Sequence, residues 1–222
     1  MSAMSFKPLN MDRRVSLCIR PGDQHWVNAP QAPVRRWPLE REAPESGQVT
    51  SLVEYLPGAR FPEHLHPNGE EILVLDGVFS EEGGDWPAGS YLRSPAGSRH
   101  SPFSTEGCRL FVKLNQFAEN DHAWVRLSPE QQVSEHQPNG LASVLLHGLS
   151  SEQTRLWTLE PGAALTLPAG QGGEVLVVQG EVSEAGESLP VLSWLRRADF
   201  AEMQLVSERG AQLLVKARAR LI

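Results

Sequence analysis

The 222-residue sequence predicts an all-β fold built twice over. Three observations carry that expectation. Short apolar stretches, "SLVEYL", "EILVL", "RLFVKL", "LWTL", "EVLVVQ" and "QLLVKA", are rich in β-branched, leucine or aromatic residues and are separated by 36 evenly spread glycines and prolines, the punctuation of strands and turns. No window sustains an i, i+3, i+4, i+7 apolar stripe over three turns, so helices are not expected beyond a short one in "PEQQVSEHQ". The sequence also matches itself.

Shifted by 103, residues 71–113 fall on 174–216 without a gap, and 16 of those 43 positions are identical. "EILVLDGVFSEEG" meets "EVLVVQGEVSEAG", "SYLR" meets "SWLR", and the glycine pairs Gly77/Gly180 and Gly107/Gly210 coincide. Upstream the offset is 104, aligning "LVEYLPG" with "LWTLEPG", so one residue is missing from the second copy. An offset held through strands and turns together is the mark of a duplicated β domain. The expected domains are residues 1–118 and 127–222, joined by "FAENDHAW".

Composition excludes several functions. The net charge of −7, with no local Lys/Arg cluster, repels phosphate backbones, so no direct nucleic-acid partner is expected. No apolar run approaches the ~20 residues needed to span a bilayer, and "MSAMSFKPLNMDRR" lacks a signal-peptide core; a cytoplasmic protein with no membrane partner is expected. Cys18 and Cys108 stand far apart without a second cysteine at zinc-binding spacing, so they read as buried thiols.

Chemistry concentrates in "PEHLHPNGEE", residues 62–71. On a strand, His64 and His66 point to one side and Leu65 to the other. Asn68-Gly69 is a hairpin signal that returns Glu70 beside them. His100 follows a second turn at Pro95 and Gly97. Three imidazoles and a carboxylate make a mixed nitrogen and oxygen shell for one divalent ion, with Zn2+ or Fe2+ foremost and Mn2+ or Ni2+ also fitting. Glu71 points to the opposite face and is matched by Glu174, so it reads as structural, although a one-residue register shift exchanges the two glutamates. Ile72 and Val74 share the parity of Glu70 and are the expected apolar walls of a small-molecule pocket. Beyond the ligands no general base is legible.

These residues resemble the cupin family. Gly58, five residues, His64-x-His66, three residues, Glu70, six residues and Gly77 reproduce its first motif. Gly89, five residues, Pro95-x-Gly97, two residues and His100 reproduce the second, with Ser104 where the family has a final Asn. The resemblance implies a tandem cupin, or bicupin, of two double-stranded β-helix (jelly-roll) barrels, the first holding a metal on His64, His66, Glu70 and His100. Residues 51–114 further resemble the cupin-like domain of ChrR-type anti-sigma factors, a zinc-binding sensory module. Those proteins hold a sigma factor through a separate cysteine-bearing zinc domain; no Cys-x2-Cys occurs here, so no sigma-factor partner is expected.

The second copy places Pro168, Gly170 and Met203 at the positions of His64, His66 and His100, so it is expected to bind no metal, although its interior stays open to a small apolar molecule. His25, His122, His136 and His147 lie outside the motif. Trp86, Trp157 and Trp194 read as core, whereas Trp26 and Trp37, in a proline-rich lead, suggest an arm laid across a sheet edge, with a homodimer as one setting. Two functions remain open. One is a sensory or regulatory module responding to a small ligand or oxidant. The other is an Fe(II)-type dioxygenase acting on a small diketone or hydroxyketone, which relatives of this cupin type resemble.

Overall fold

The structure, a computed structural model, describes residues 6–23 and 25–219; the outermost residues of both expected domains, 1–5 and 220–222, lie outside the described residues. The chain forms two units, Met1–Met11 with His25–Gln131 and Asp12–Gln24 with Gln132–Ile222. No helix among the described residues is long and apolar enough to cross a membrane.

In the first unit, the apolar stretches become the strands Val49–Tyr55, Glu70–Glu81 and Cys108–Leu114, all antiparallel. The main sheet runs Val125–Leu127, Tyr91–Ser94, Glu70–Glu81, Cys108–Leu114, Val49–Tyr55, Val34–Arg41, Val27–Asn28. Alternation turns Ser51, Val53 and Tyr55, then Leu110, Val112 and Leu114, then Glu70 and Ile72 toward one interior space. A separate ribbon pairs His64–His66 with Ser98–His100. The tryptophan-bearing lead is a strand of this same sheet: Val34–Arg41 pairs with Val49–Tyr55, Trp37 is buried, and its ring meets that of Trp26 edge-on at 5.7 Å. Its Pro38 sits at a register irregularity, where a missing N–H is tolerated.

A β-bulge interrupts the long strand, because Arg109 faces Asp76 while Leu110 faces Val74. The extra residue reverses which side chains point inward, so Glu70 and Ile72 line the interior before it and Phe79 after it. Just past the bulge Gly77 has φ 71°, and a Cβ there would stand 2.2 Å from the Gly107 carbonyl oxygen. Gly180 repeats both features, with φ 71° and 2.3 Å to the Gly210 oxygen. That close backbone approach explains why the duplicated glycines coincide.

The second unit repeats the order with Leu17–Ile19, Trp194–Arg197, Gln171–Glu184, Ala211–Ala219, Glu152–Leu159, Leu141–Leu149, Glu135–Gln137. Its outer strand, Leu17–Ile19, comes from residues that the sequence placed in the first domain. Arg196 donates to the Asp12 and Val15 carbonyls and Arg197 to that of Leu17, fixing the segment on the second sheet. The corresponding strand of the first unit, Val125–Leu127, lies on Tyr91–Ser94. Both outer strands lead into a 3-10 turn, Pro21–Asp23 and Pro129–Gln131, so the duplicated segment begins with this strand and turn. The latter is the short helix expected in "PEQQVSEHQ", a single 3-10 turn that gives way to strand Glu135–Gln137.

Inside the second unit, Leu165, Leu167, Phe200, Met203 and Leu205 join strand residues in one buried apolar cluster. Trp194 is fully buried, and Trp86 and Trp157 pack against the apolar clusters of their units.

Candidate metal centre

The two-stranded ribbon sets His64 directly opposite His100 and His66 opposite Ser98. Three imidazoles therefore meet, with ring centroids 4.8, 4.9 and 4.7 Å apart for His64–His66, His64–His100 and His66–His100. One ligand atom from each lies within 4.8 Å of the others, which makes these three, among the described residues, a group that could hold a metal ion. Glu70 comes alongside from the following strand: its Oε2 stands 3.4 Å from both His66 Nε2 and His100 Nε2. It approaches two of the histidines and is not part of the mutually close trio. The turn between them is held by Asn68 N–H donating to Asn115 Oδ1 at 3.1 Å.

The tautomers are set by hydrogen bonds on the outer side of the rings. His64 donates Nδ1–H to the Pro62 carbonyl at 3.0 Å, and His100 donates Nδ1–H to Glu81 at 2.8 Å. In the neutral ring each therefore leaves Nε2 as the unprotonated, inward nitrogen, as a ligand must. Burial lowers His64 and pulls His66 down to about 4, reinforced for His66 by the neighbouring His100, so both are neutral at physiological pH. Burial also depresses His100, but the Glu81 hydrogen bond and the charges of Glu70 and Glu81 outweigh it and leave the ring raised.

These residues fit a metal ion. His66 Nε2 and His100 Nε2 are 2.9 Å apart, and bonds of ~2.0–2.1 Å to a shared ion place adjacent nitrogens about 3 Å apart. Glu70 Oε2 is buried with no hydrogen-bond partner, because its two 3.4 Å approaches are not hydrogen bonds. Burial raises the Glu70 carboxyl, a cost that a cation at the same point offsets.

A cavity of about 610 Å³ opens onto this cluster, lined by His64, His66, Glu70 and Ile72 among others. Val74 is fully buried in the adjoining apolar cluster rather than on the lining. Tyr55 lines the cavity, its ring edge-on to Phe61 and Phe79 at 5.8 and 5.9 Å; burial and then the Glu70 charge hold its phenol well above the usual range, so the proton stays on. Glu71 faces away, accepting from Tyr91 Oη at 2.8 Å and Arg93 at 2.6 Å. Ser104, standing where the motif has Asn, donates to the Val78 carbonyl at 2.6 Å, as Ser207 does to that of Glu181 at 2.8 Å.

Sequence reasoning missed Glu81 and Arg126. Glu81 Oε1 accepts from Arg126 Nε at 2.6 Å, and Arg126 also donates to the Arg93 carbonyl and Ser94 Oγ at 2.9 and 3.0 Å. Strict alternation from Glu70 puts Glu81 on the wrong face, and Arg126 belongs to the second repeat's leading strand. The glycine after the bulge was the available signal. His25, His122 and His136 are exposed and His147 half-buried, none of them in the cluster.

In the second unit, Met203 pairs with Leu167, as His100 pairs with His64. The counterparts of His64 and His66 are thus Leu167 and Ala169, one residue earlier than Pro168 and Gly170. The missing residue falls between Arg60, whose counterpart is Ala164, and His64. Leu167 and Ala169 carry no metal-ligating group, and Met203 offers only a soft thioether in place of an imidazole.

Residues 14–118 match the family model described as the ChrR cupin-like domain. No curated protein sequence matches the chain. Among solved structures, a candidate dioxygenase from Nostoc punctiforme has a TM-score of 0.75 at 15% identity, over 94% of this chain and 84% of its own. The bacterial pirin YhhW from Escherichia coli, in complex with nickel(II), gives 0.72 at 15% identity, over 93% and 100%. A candidate glyoxylate-induced protein from Pseudomonas aeruginosa gives 0.69 at 13% identity, over 93% and 89%. At such identities the likeness is one of fold. Residues 14–118 are thus similar to the ChrR cupin-like domain, and the chain as a whole has the two-barrel cupin fold.

Proposed function

We propose that the first barrel is a mononuclear metal centre, with Fe(II) foremost, that binds a small molecule through two adjacent oxygens and oxidatively cleaves it, with diketones and hydroxyketones as the substrate class. The observation that carries this reading is the 610 Å³ cavity, which falls within the size of small-ligand pockets and is lined by His64, His66 and Glu70 of the candidate metal cluster. A metal that only ordered the barrel would need no such space. Three neutral imidazoles and at most one carboxylate leave positive charge on a bound divalent ion, which favours an enolised or anionic ligand. When bound, the ion supplies Lewis acidity and, if redox-active, the capacity for oxygen chemistry.

The remaining work falls to side chains. Ile72, Leu110 and Val112 keep the ligand's carbon skeleton out of water, and Tyr55 holds a proton beside it. The overall change for a 1,3-diketone consumes one dioxygen and yields a carboxylic acid and a 2-oxoaldehyde, with both oxygen atoms retained in the products.

A sensory role is the second reading, favoured by the match of residues 14–118 to the ChrR cupin-like domain. In that case ligand or oxidant changes the coordination without turnover. Anaerobic loading with Fe(II), followed by oxygen-uptake assays over a panel of diketones and hydroxyketones, separates the two. Uptake above that of free iron supports the enzyme. Silence with every compound, alongside ligand-induced changes in the metal's spectrum, leaves the sensor.

A further inference from the structure

The cavity has a second charged end. Glu70, Leu114, Val49 and Arg41 form one row across four paired strands, Glu70 opposite Leu114, Leu114 opposite Val49, and Val49 opposite Arg41. All four line the cavity, and three strand spacings separate the Glu70 and Arg41 backbones by about 14 Å across the sheet. Arg36, on the same strand as Arg41, also lines it. The walls between are Val53, Ile72, Leu110 and Val112.

These two guanidiniums share one carboxylate. Arg36 Nη1 lies 3.2 Å from Glu45 Oε2 and Arg41 Nη2 3.3 Å from Glu45 Oε1. Arg41 Nε–H is taken up by the Ala43 carbonyl at 3.0 Å. The arginine side chains are 26% and 15% exposed, whereas that of Glu45 is 62% exposed, so the bridging anion is the most hydrated partner and the easiest to displace. Two cations against one carboxylate leave an uncompensated positive charge at this rim, in a chain whose net charge is −7. Arginine is also the side chain suited to grip a carboxylate with two parallel donors. The opposite end is positive as well once a divalent ion is held by three neutral imidazoles and Glu70.

We infer that the ligand carries two anionic ends: a small carbonyl compound with an oxygen pair for the metal and a distal carboxylate that displaces Glu45 from Arg36 and Arg41. This deepens the reading of the first barrel as a metal centre for a chelating small molecule, and rests on it. An apolar diketone would leave the arginines unused.

The test uses the full-length protein loaded with Co(II), whose absorption spectrum reports on anything binding at the metal. Two probes, 2-oxoadipate and 2-oxohexanoate, share chain length and chelating head and differ only in the distal carboxylate. 2-Oxoadipate is expected to bind about tenfold more tightly, the scale of one charge-assisted contact. The preference should shrink in high salt. Arg36→Gln and Arg41→Gln should each reduce it, and together abolish it, with 2-oxohexanoate affinity unchanged as the internal check on folding. Glu45→Gln should enlarge it. Equal affinities for the two acids, or a preference that survives in the double variant, overturn this inference alone. A Co(II) spectrum unmoved by either acid overturns instead the idea that ligands bind at the metal.

Discussion

His100 donates its Nδ1–H to Oε2 of Glu81 over 2.8 Å, both groups buried, and this contact aims the opposite nitrogen of the ring at the metal cluster. Arg126 holds the other Glu81 oxygen at 2.6 Å, so the carboxylate cannot swing away.

Glu81→Ala is therefore expected to weaken metal binding by about 10- to 100-fold, the range typical of partners that orient a ligand. Glu81→Gln, which keeps an acceptor oxygen, should lose less. Competition with a chromophoric chelator measures the affinity, and Cu(II) electron paramagnetic resonance reads the ligand geometry. Wild-type affinity and spectrum in both variants would remove Glu81 from the metal centre.

One ion per chain is expected, with none on the second barrel. His64→Ala, His66→Ala and His100→Ala should each abolish stoichiometric binding, whereas Met203→Ala and Leu167→Ala should leave it at one. Elemental analysis after supplementation and gel filtration decides this, and a stoichiometry of two would contradict the contrast between the barrels.

The twin glycines give a stability test. At Gly77 or Gly180 an alanine must adopt a positive φ, at about 1–2 kcal/mol, and its Cβ also collides with a backbone oxygen, which adds about 1–3 kcal/mol for the forced shift. At Gly58, where φ is 77° and an added Cβ would meet nothing within 4 Å, only the first cost of about 1–2 kcal/mol applies. Urea unfolding of Gly77→Ala, Gly180→Ala and Gly58→Ala should rank them so, and a Gly58 variant as damaged as the other two would refute the collision.

Thiol chemistry should be quiet. Burial pushes Cys108 up to about 11 despite the Ser104 hydrogen bond, and burial likewise raises Cys18. A raised value shrinks the reactive thiolate, so at pH 7 the Cys108 thiolate fraction is about one in 10,000. Native protein should react slowly with a disulfide reagent, Cys18 before Cys108, and release both thiols at once only in denaturant. Fast labelling of Cys108 would instead point to thiol-based oxidant sensing.

Much of the fold is visible in residue order. The strands around "SLVEYL", "EILVL" and "RLFVKL" follow from alternation and punctuation, and the 103-residue offset exposes the duplication. The spacing of His64, His66 and His100 is legible too, because a strand alternates faces and a short turn has few forms. What resisted reading depends on departures from alternation or on distant pairing. The bulge beside Gly77 turns Glu81 inward, against the parity counted from Glu70.

Sequence alone determined that this is a duplicated β protein with one histidine-rich copy and one stripped of ligands, since strand periodicity, turn chemistry and self-similarity are local or statistical properties of the chain. Tertiary structure alone decided that Leu17–Ile19 lies on Trp194–Arg197, that Arg126 secures Glu81, and that Arg41 stands in register with Glu70 across four strands. Those relations are set by which edges pair and where a register slips, choices governed by backbone hydrogen bonds between segments that are remote in sequence.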